Sequence, residues 1–209
     1  MSGAVLTKIC GITRVEDAAL AAGEGADFLG LNFWPRSKRH ITVAAAGSLA
    51  QAARAAAPSV RLVGLFVDQP EDEIVAAAVA LALDVVQLHG DESPAQVAAL
   101  AARGLTVWKA HAVRGAGDLG LAAWPAAAHL LDAPSAGRGG SGSVFDWAHA
   151  AAAVAAGHRI VLAGGLTPDN VASAVDQVRP FAVDVASGVE SAPGKKDPAR
   201  VRAFLAALH

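Results

Sequence analysis

Short apolar, β-branched runs alternate with alanine-rich stretches of helical period from one end of the chain to the other. The first kind predicts strands at residues 5–10, 27–33, 60–67, 84–89, 105–111, 128–132, 159–163 and 181–186. The second kind predicts helices at 14–24, 43–57, 71–81, 94–103, 115–123, 146–156, 168–177 and 197–208. Boundary residues agree with this reading. Thr13 is placed to open the first helix, and Thr167-Pro168 puts an N-cap residue before proline at a first helical position. Asp197-Pro198 repeats that arrangement before the last helix, and Gly23, Gly104 and Gly157 sit where helices should stop.

Eight βα units in strict alternation imply a parallel sheet with right-handed crossovers. An open doubly wound sheet fits the alternation too, but eight units favour an α/β fold closed into a (β/α)8 TIM barrel. At about 26 residues per unit the barrel is compact beside the usual ~250 residues. No linker, low-complexity tract or charge run divides residues 1–209, so a single domain is expected.

Composition narrows the partners. A net charge of −2 and a pI near 6.4 leave no electrostatic footprint for nucleic acid. The longest stretch without Asp, Glu, Lys or Arg, His40 to Ala53, is too short to span a bilayer. One cysteine excludes an internal disulfide, and the start runs into a strand with neither a basic nor an apolar leader region. A soluble, cytoplasmic protein is the expectation, with no membrane or nucleic-acid partner. A monomer and a homodimer both fit the residues.

In such a barrel the active site lies at the C-terminal ends of the strands. Cys10 ends the first strand, and Lys8, two residues earlier, points to the same face. A neighbouring ammonium favours a thiolate, although a lone cysteine also serves as a small buried hydrophobe. Asp132 closes the apolar run Ala128 to Leu131, where desolvation should raise its pKa and let it donate a proton near neutral pH; capping the next loop is the alternative. His89 ends strand four as a pocket residue or as a core histidine. Arg36, Lys38 and Arg39 read as a solvated basic loop, unless the ligand carries a carboxylate for Arg39 to grip bidentately. Lys195 and Lys196 read as a solvated turn.

Glycine-bearing loops follow strands six, seven and eight: Gly139-Gly140-Ser141-Gly142, Gly164-Gly165 and Ser187-Gly188. Each alone suits a tight turn. Together, after the strands where this fold repeatedly binds phosphate, they point to a phosphorylated small-molecule ligand. His89 and His111 have no acidic pair at ligand spacing, so no metal is expected. The dinucleotide and P-loop fingerprints are missing from the sequence.

Taken in order, these segments resemble the phosphoribosylanthranilate isomerase family. The resemblance rests on Lys8-Ile-Cys-Gly-Ile-Thr13, Ser37-Lys-Arg39, Val86-Gln-Leu-His-Gly90, Leu131-Asp132, Gly139-Gly-Ser-Gly142, Phe145-Asp-Trp147, Ala163-Gly-Gly-Leu166, Arg179 to Val185 and Ser187-Gly-Val-Glu190 with Pro193-Gly-Lys-Lys-Asp197. It spans essentially the whole chain. It implies an Amadori rearrangement in tryptophan biosynthesis with no cofactor, Cys10 as general base and Asp132 as general acid. It further implies Lys8, Arg39, His89 and Asp184 as pocket residues, Arg39 near the anthranilate end, with Gly140, Ser141, Gly142, Gly164, Gly165, Ser187 and Gly188 around the phosphate. The dual-specificity relative of histidine and tryptophan synthesis carries aspartate where Cys10 stands, and indole-glycerol-phosphate synthase carries an N-terminal extension. A barrel that binds phosphate without catalysis, as a partner-binding module, is the reading from another class.

Overall fold

The computed structural model describes residues 5–113, 120–132 and 146–208. Eight parallel strands close into a barrel in sequence order, with β8 hydrogen-bonded back to β1. The strands are β1 (Leu6–Cys10), β2 (Phe28–Asn32), β3 (Arg61–Phe66), β4 (Val85–Leu88), β5 (Val107–Ala112), β6 (Ala128–Asp132), β7 (Ile160–Leu162) and β8 (Ala182–Val185). Around them lie α1 (Val15–Gly23), α2 (Val43–Ala56), α3 (Glu71–Leu81), α4 (Pro94–Ala102), α5 (Ala148–Ala155), α6 (Val171–Val178) and α7 (Pro198–Ala206). This is the closed barrel that the alternation favoured over an open sheet.

Alanine explains how so short a chain closes the barrel. The inward faces of α1 and α2 are built on Ala18, Ala21, Ala22, Ala46, Ala50 and Ala53, all buried. Side chains this small let helices lie close to the strands and to each other, since interaxial distance follows the residues at the contact. The larger apolar side chains come mainly from outward-facing strand positions such as Ile9, Leu29, Leu31 and Leu62. Each contributes roughly 1.5–3 kcal/mol by leaving water.

Inside the barrel the chemistry changes from bottom to top. At the N-terminal end Phe28 meets Trp108 edge-on with centroids 4.9 Å apart, and Trp108 meets Phe181 in the same way. Arg61 and Arg159 lie over the rings of Phe28 and Phe181. Val63, Val85, Ala110, Leu130 and Val161 fill the next positions. Above them the inward side chains become polar: Lys8 and Gln87, then Cys10, Asp132 and Asp184. The bottom is a packed plug and the top is left for a ligand.

Four local expectations change. Among the described residues, no α-helix follows β5; Leu121–Ala123 forms a single 3-10 turn, and residues 115–119 of the expected helix lie outside the described residues. Gly120 enters that turn left-handed and Trp124 leaves it extended, as a residue before proline must. Helix α6 begins at Val171 and not at Pro168, because Asn170 folds back, accepting from the Thr167 N–H and donating to the Gly165 carbonyl. Thr13 does not cap α1: its hydroxyl donates to the carbonyl of Gly194. That partner belongs to an unexpected antiparallel hairpin, β9 (Glu190–Ala192) with β10 (Lys195–Lys196), which follows β8 through a 3-10 turn at Ser187–Val189. Asp197, by contrast, caps α7 as expected, accepting from the N–H groups of Ala199 and Arg200.

Candidate active site

The polar rim is assembled from strand ends. The pairing of β1 with β8 aligns Lys8 with Asp184, and the Lys8 ammonium donates to Asp184 Oδ1 at 2.9 Å. Lys8 is fully buried. Burial works against its charge, but Asp184 and then Cys10 outweigh it and hold its pKa above the ordinary lysine value. One turn of the pleat higher, Cys10 is 6 % exposed and sits against Leu65, Val67, Trp34 and Ala186. A Cβ on Gly30, its partner on β2, would come within 2.6 Å of the sulfur, so glycine there makes the space the thiol occupies.

The acidity of Cys10 runs opposite to expectation. Burial pushes the thiol up, Lys8 pulls it down, and Asp184 pushes it up again; the net direction is upward. The lysine's charge is already committed to a carboxylate, so its help to a thiolate is diluted.

Across the mouth, with β8 and β7 between, Asp132 ends β6 and is largely buried. His89 Nε2 lies 3.8 Å from Asp132 Oδ2, while His89 Nδ1 is 3.1 Å from the Gln87 amide nitrogen. With Gln87 as donor, His89 accepts at Nδ1 and carries its proton on Nε2, facing the aspartate. Thus His89 is a rim residue and not a core histidine.

Asp132 and Asp184 line one open cavity together with Ala163, Gly164, Gly165, Leu166, Ser187 and Gly188. Gly164 and Gly165 both have positive φ. Gly188 lies so close to the Leu166 carbonyl that a Cβ would overlap it, which locks the loops after β7 and β8 together. Gly140, Ser141 and Gly142 lie outside the described residues.

Arg39 and the hairpin supply what the sequence did not reveal. The Arg39 guanidinium is gripped side-on by Glu190, Nε to Oε1 at 2.7 Å and Nη2 to Oε2 at 2.6 Å. Lys196 is buried and is no solvated turn residue. Its ammonium donates to the carbonyls of Cys10 (2.6 Å) and Ala186 (3.1 Å) and to Glu190 Oε1 (3.0 Å). Burial opposes the charge of Glu190, but Arg39 and Lys196 win and hold its carboxyl below the usual range. Lys195 is exposed, as expected. The segment Glu190 to Asp197 was visible in the sequence; that it folds back onto β1 was not.

A parallel eight-stranded barrel with two carboxylates, a thiol and a glycine-lined cavity at its C-terminal rim defines an enzyme of the (β/α)8 class. Comparisons with known proteins narrow the class. Residues 7–207 match the model of the N-(5'-phosphoribosyl)anthranilate (PRA) isomerase family, and the chain belongs to that family. The isomerase of Citrifermentans bemidjiense is 52 % identical over 201 residues, covering 95 % of this chain and 94 % of the relative. Among solved structures, the phosphoribosyl anthranilate isomerase of Thermus thermophilus superposes with a TM-score of 0.89 at 41 % identity, covering 98 % of both chains. A phosphoribosyl anthranilate isomerase in complex with reduced 1-(o-carboxyphenylamino)-1-deoxyribulose 5-phosphate superposes with a TM-score of 0.83 at 37 % identity, again over 98 % of each. Among the described residues no helix is long and apolar enough to cross a membrane.

Proposed function

We propose that Cys10 and Asp132 are the base and the acid with which this isomerase converts N-(5-phosphoribosyl)anthranilate into 1-(2-carboxyphenylamino)-1-deoxyribulose 5-phosphate, a step of tryptophan biosynthesis. The observation that carries the reading is the shared cavity, in which Asp132 and Asp184 face the glycines of the β7 and β8 loops. A phosphate held by the N–H groups of Gly164, Gly165, Ser187 and Gly188 would put a ribose within reach of the carboxyl at the end of β6.

Asp132 protonates the furanose ring oxygen and the ring opens to an iminium ion. The cation acidifies C2, Cys10 takes the C2 proton, and the enolamine tautomerises to the aminoketone. No oxidant or hydrolytic water enters, so the residues suffice without a cofactor. The iminium charge also offsets the unfavourable surroundings of a Cys10 thiolate, which Lys8 alone does not overcome. Asp184 keeps Lys8 in place, and His89 orients Asp132. Arg39 takes the substrate carboxylate, and the apolar wall of Trp34, Leu65 and Val67 suits the aromatic ring. Gly140, Ser141 and Gly142 join the phosphate site in this reading, and the enzyme works in the cytoplasm as a single barrel.

The test is product formation from the phosphoribosylated arylamine by the purified protein, with and without the Asp132→Asn substitution. Turnover lost in the variant, with binding of the reduced product analogue retained, is the expected outcome. A wild type that binds the analogue and forms no product would favour the non-catalytic module.

A further inference from the structure

Glu190 lies in a hairpin beyond the barrel proper, yet it is 7 % exposed, and its carboxylate joins Arg39 to Lys196, whose ammonium is bonded to the Cys10 carbonyl. Oε1 accepts from Arg39, Lys196 and the Gly194 N–H, and Oε2 accepts from Arg39. Lys196 in turn is anchored on both sides, its ammonium on the Cys10 carbonyl and its N–H on Asp17, itself buried. The stem of Arg39 crosses Gly11, where a side chain would overlap its Cδ. A long, flexible arginine is thereby fixed at its stem, its Nε and one Nη.

We propose that Glu190, braced by Lys196, is a positioning residue for substrate recognition: it holds Arg39 side-on, so that the free end-on edge of the guanidinium meets the substrate carboxylate. A guanidinium has five N–H donors in a planar fork, and Glu190 takes one edge only. The second edge can bind a second carboxylate bidentately. Two anions on one cation repel, but the Lys196 ammonium balances the charge of Glu190 and leaves the Arg39 charge for the ligand. The alternative without Glu190 is an arginine free among its rotamers, which must be ordered anew at each binding event.

The inference rests on Arg39 as the carboxylate-binding residue, and the experiment separates the two. Steady-state kinetics are compared for wild type, Arg39→Ala, Glu190→Gln and the double variant, each with the native substrate and with its aniline analogue, which lacks the carboxylate. Glu190→Gln is expected to lower kcat/KM for the native substrate about 10–100-fold, the scale of one charge-assisted hydrogen bond, mainly through KM. The analogue should change less than about threefold, and the double variant should be no worse than Arg39→Ala. Should Glu190→Gln not fold, Glu190→Asp keeps the charge for Lys196, withdraws the carboxylate by one methylene, and should show the same selective loss. Equal losses on both substrates in the Glu190 variant, or multiplied losses in the double variant, overturn the positioning role while Arg39 stands. Equal losses on both substrates in Arg39→Ala remove the carboxylate site and this inference with it.

Discussion

Lys8 gives its buried ammonium to Asp184 at 2.9 Å, on the strand pair that sets the two residues side by side. The cation nearest the Cys10 thiol is therefore shared with a carboxylate that opposes ionisation of that thiol. In the ligand-free protein Cys10 should alkylate slowly, with a midpoint above the ordinary thiol range. Lys8→Met removes the cation and leaves Asp184, so the midpoint should move higher still. Mass spectrometry after timed iodoacetamide exposure across pH reads this directly, because Cys10 is the only cysteine. A midpoint below the ordinary range would show that Lys8 outweighs burial.

The same direction sets the acid limb of catalysis. With Cys10 as base, kcat/KM should rise with pH through neutrality toward the raised thiol value, since the free enzyme must lose that proton to act. A profile already flat by pH 6 would mean that another group takes the C2 proton, and His89 would be the first to examine.

A different cluster should weaken the fold as pH falls. On the outer face of β5 and β6, His111 Nε2 lies 3.2 Å from His129 Nδ1, with Trp124 edge-on to His111 and His158 edge-on to His129. Burial, the neighbouring His129 and Lys109 push His111 down to about 3; burial and His158 push His129 down to about 4. Unfolded histidine titrates near 6.5, so the unfolded chain binds more protons between that value and about 3. The stability these groups contribute is complete above pH 6.5 and is lost as pH falls. His111→Phe keeps the contact with Trp124 and cannot be protonated, so its melting temperature should fall less than that of the wild type between pH 7 and 4.5. Parallel curves for the two proteins would remove His111 from the effect.

Beneath the β4 loop, Lys109 and Glu92 form an ion pair at 3.0 Å with side chains 3 % and 2 % exposed. Glu92 also accepts from the N–H groups of Asp68 and Gly90, and Lys109 donates to the Gly90 carbonyl. Lys109→Met leaves a buried carboxylate without its cation, which typically costs about 3–5 kcal/mol. For a chain of this length that is a melting-temperature loss of about 10 °C, readable by calorimetry. A loss under about 2 °C would mean that water reaches Glu92.

The strands were legible because their apolar runs are bounded by turn residues and set by backbone chemistry close in sequence, as β6 over Ala128–Asp132 illustrates. Cys10, Asp132, Asp184 and His89 could be placed at the rim because strand ends in this fold converge whatever their sequence separation. What could not be read depends on long-range folding. Lys196 looks like a turn residue beside Lys195; only the hairpin's return to β1, 186 residues from Cys10, buries it. The same return captures Thr13 from its helix and gives Arg39 the partner Glu190. The direction of the thiol's acidity depends first on burial and then on Asp184 across the sheet, and strand alternation, which shows only Lys8 beside Cys10, carries neither.

The proposed chemistry divides the isomerisation between one acid, Asp132, and one base, Cys10, at the ends of β6 and β1. Single-turnover conversion of N-(5-phosphoribosyl)anthranilate, followed chromatographically for wild type, Asp132→Asn and Cys10→Ser at saturating enzyme, tests it most directly. Each substitution should slow product formation by at least the ~10²–10⁴ typical of one acid–base group, with the reduced product analogue still bound. Conversion near the wild-type rate in either variant would contradict the account.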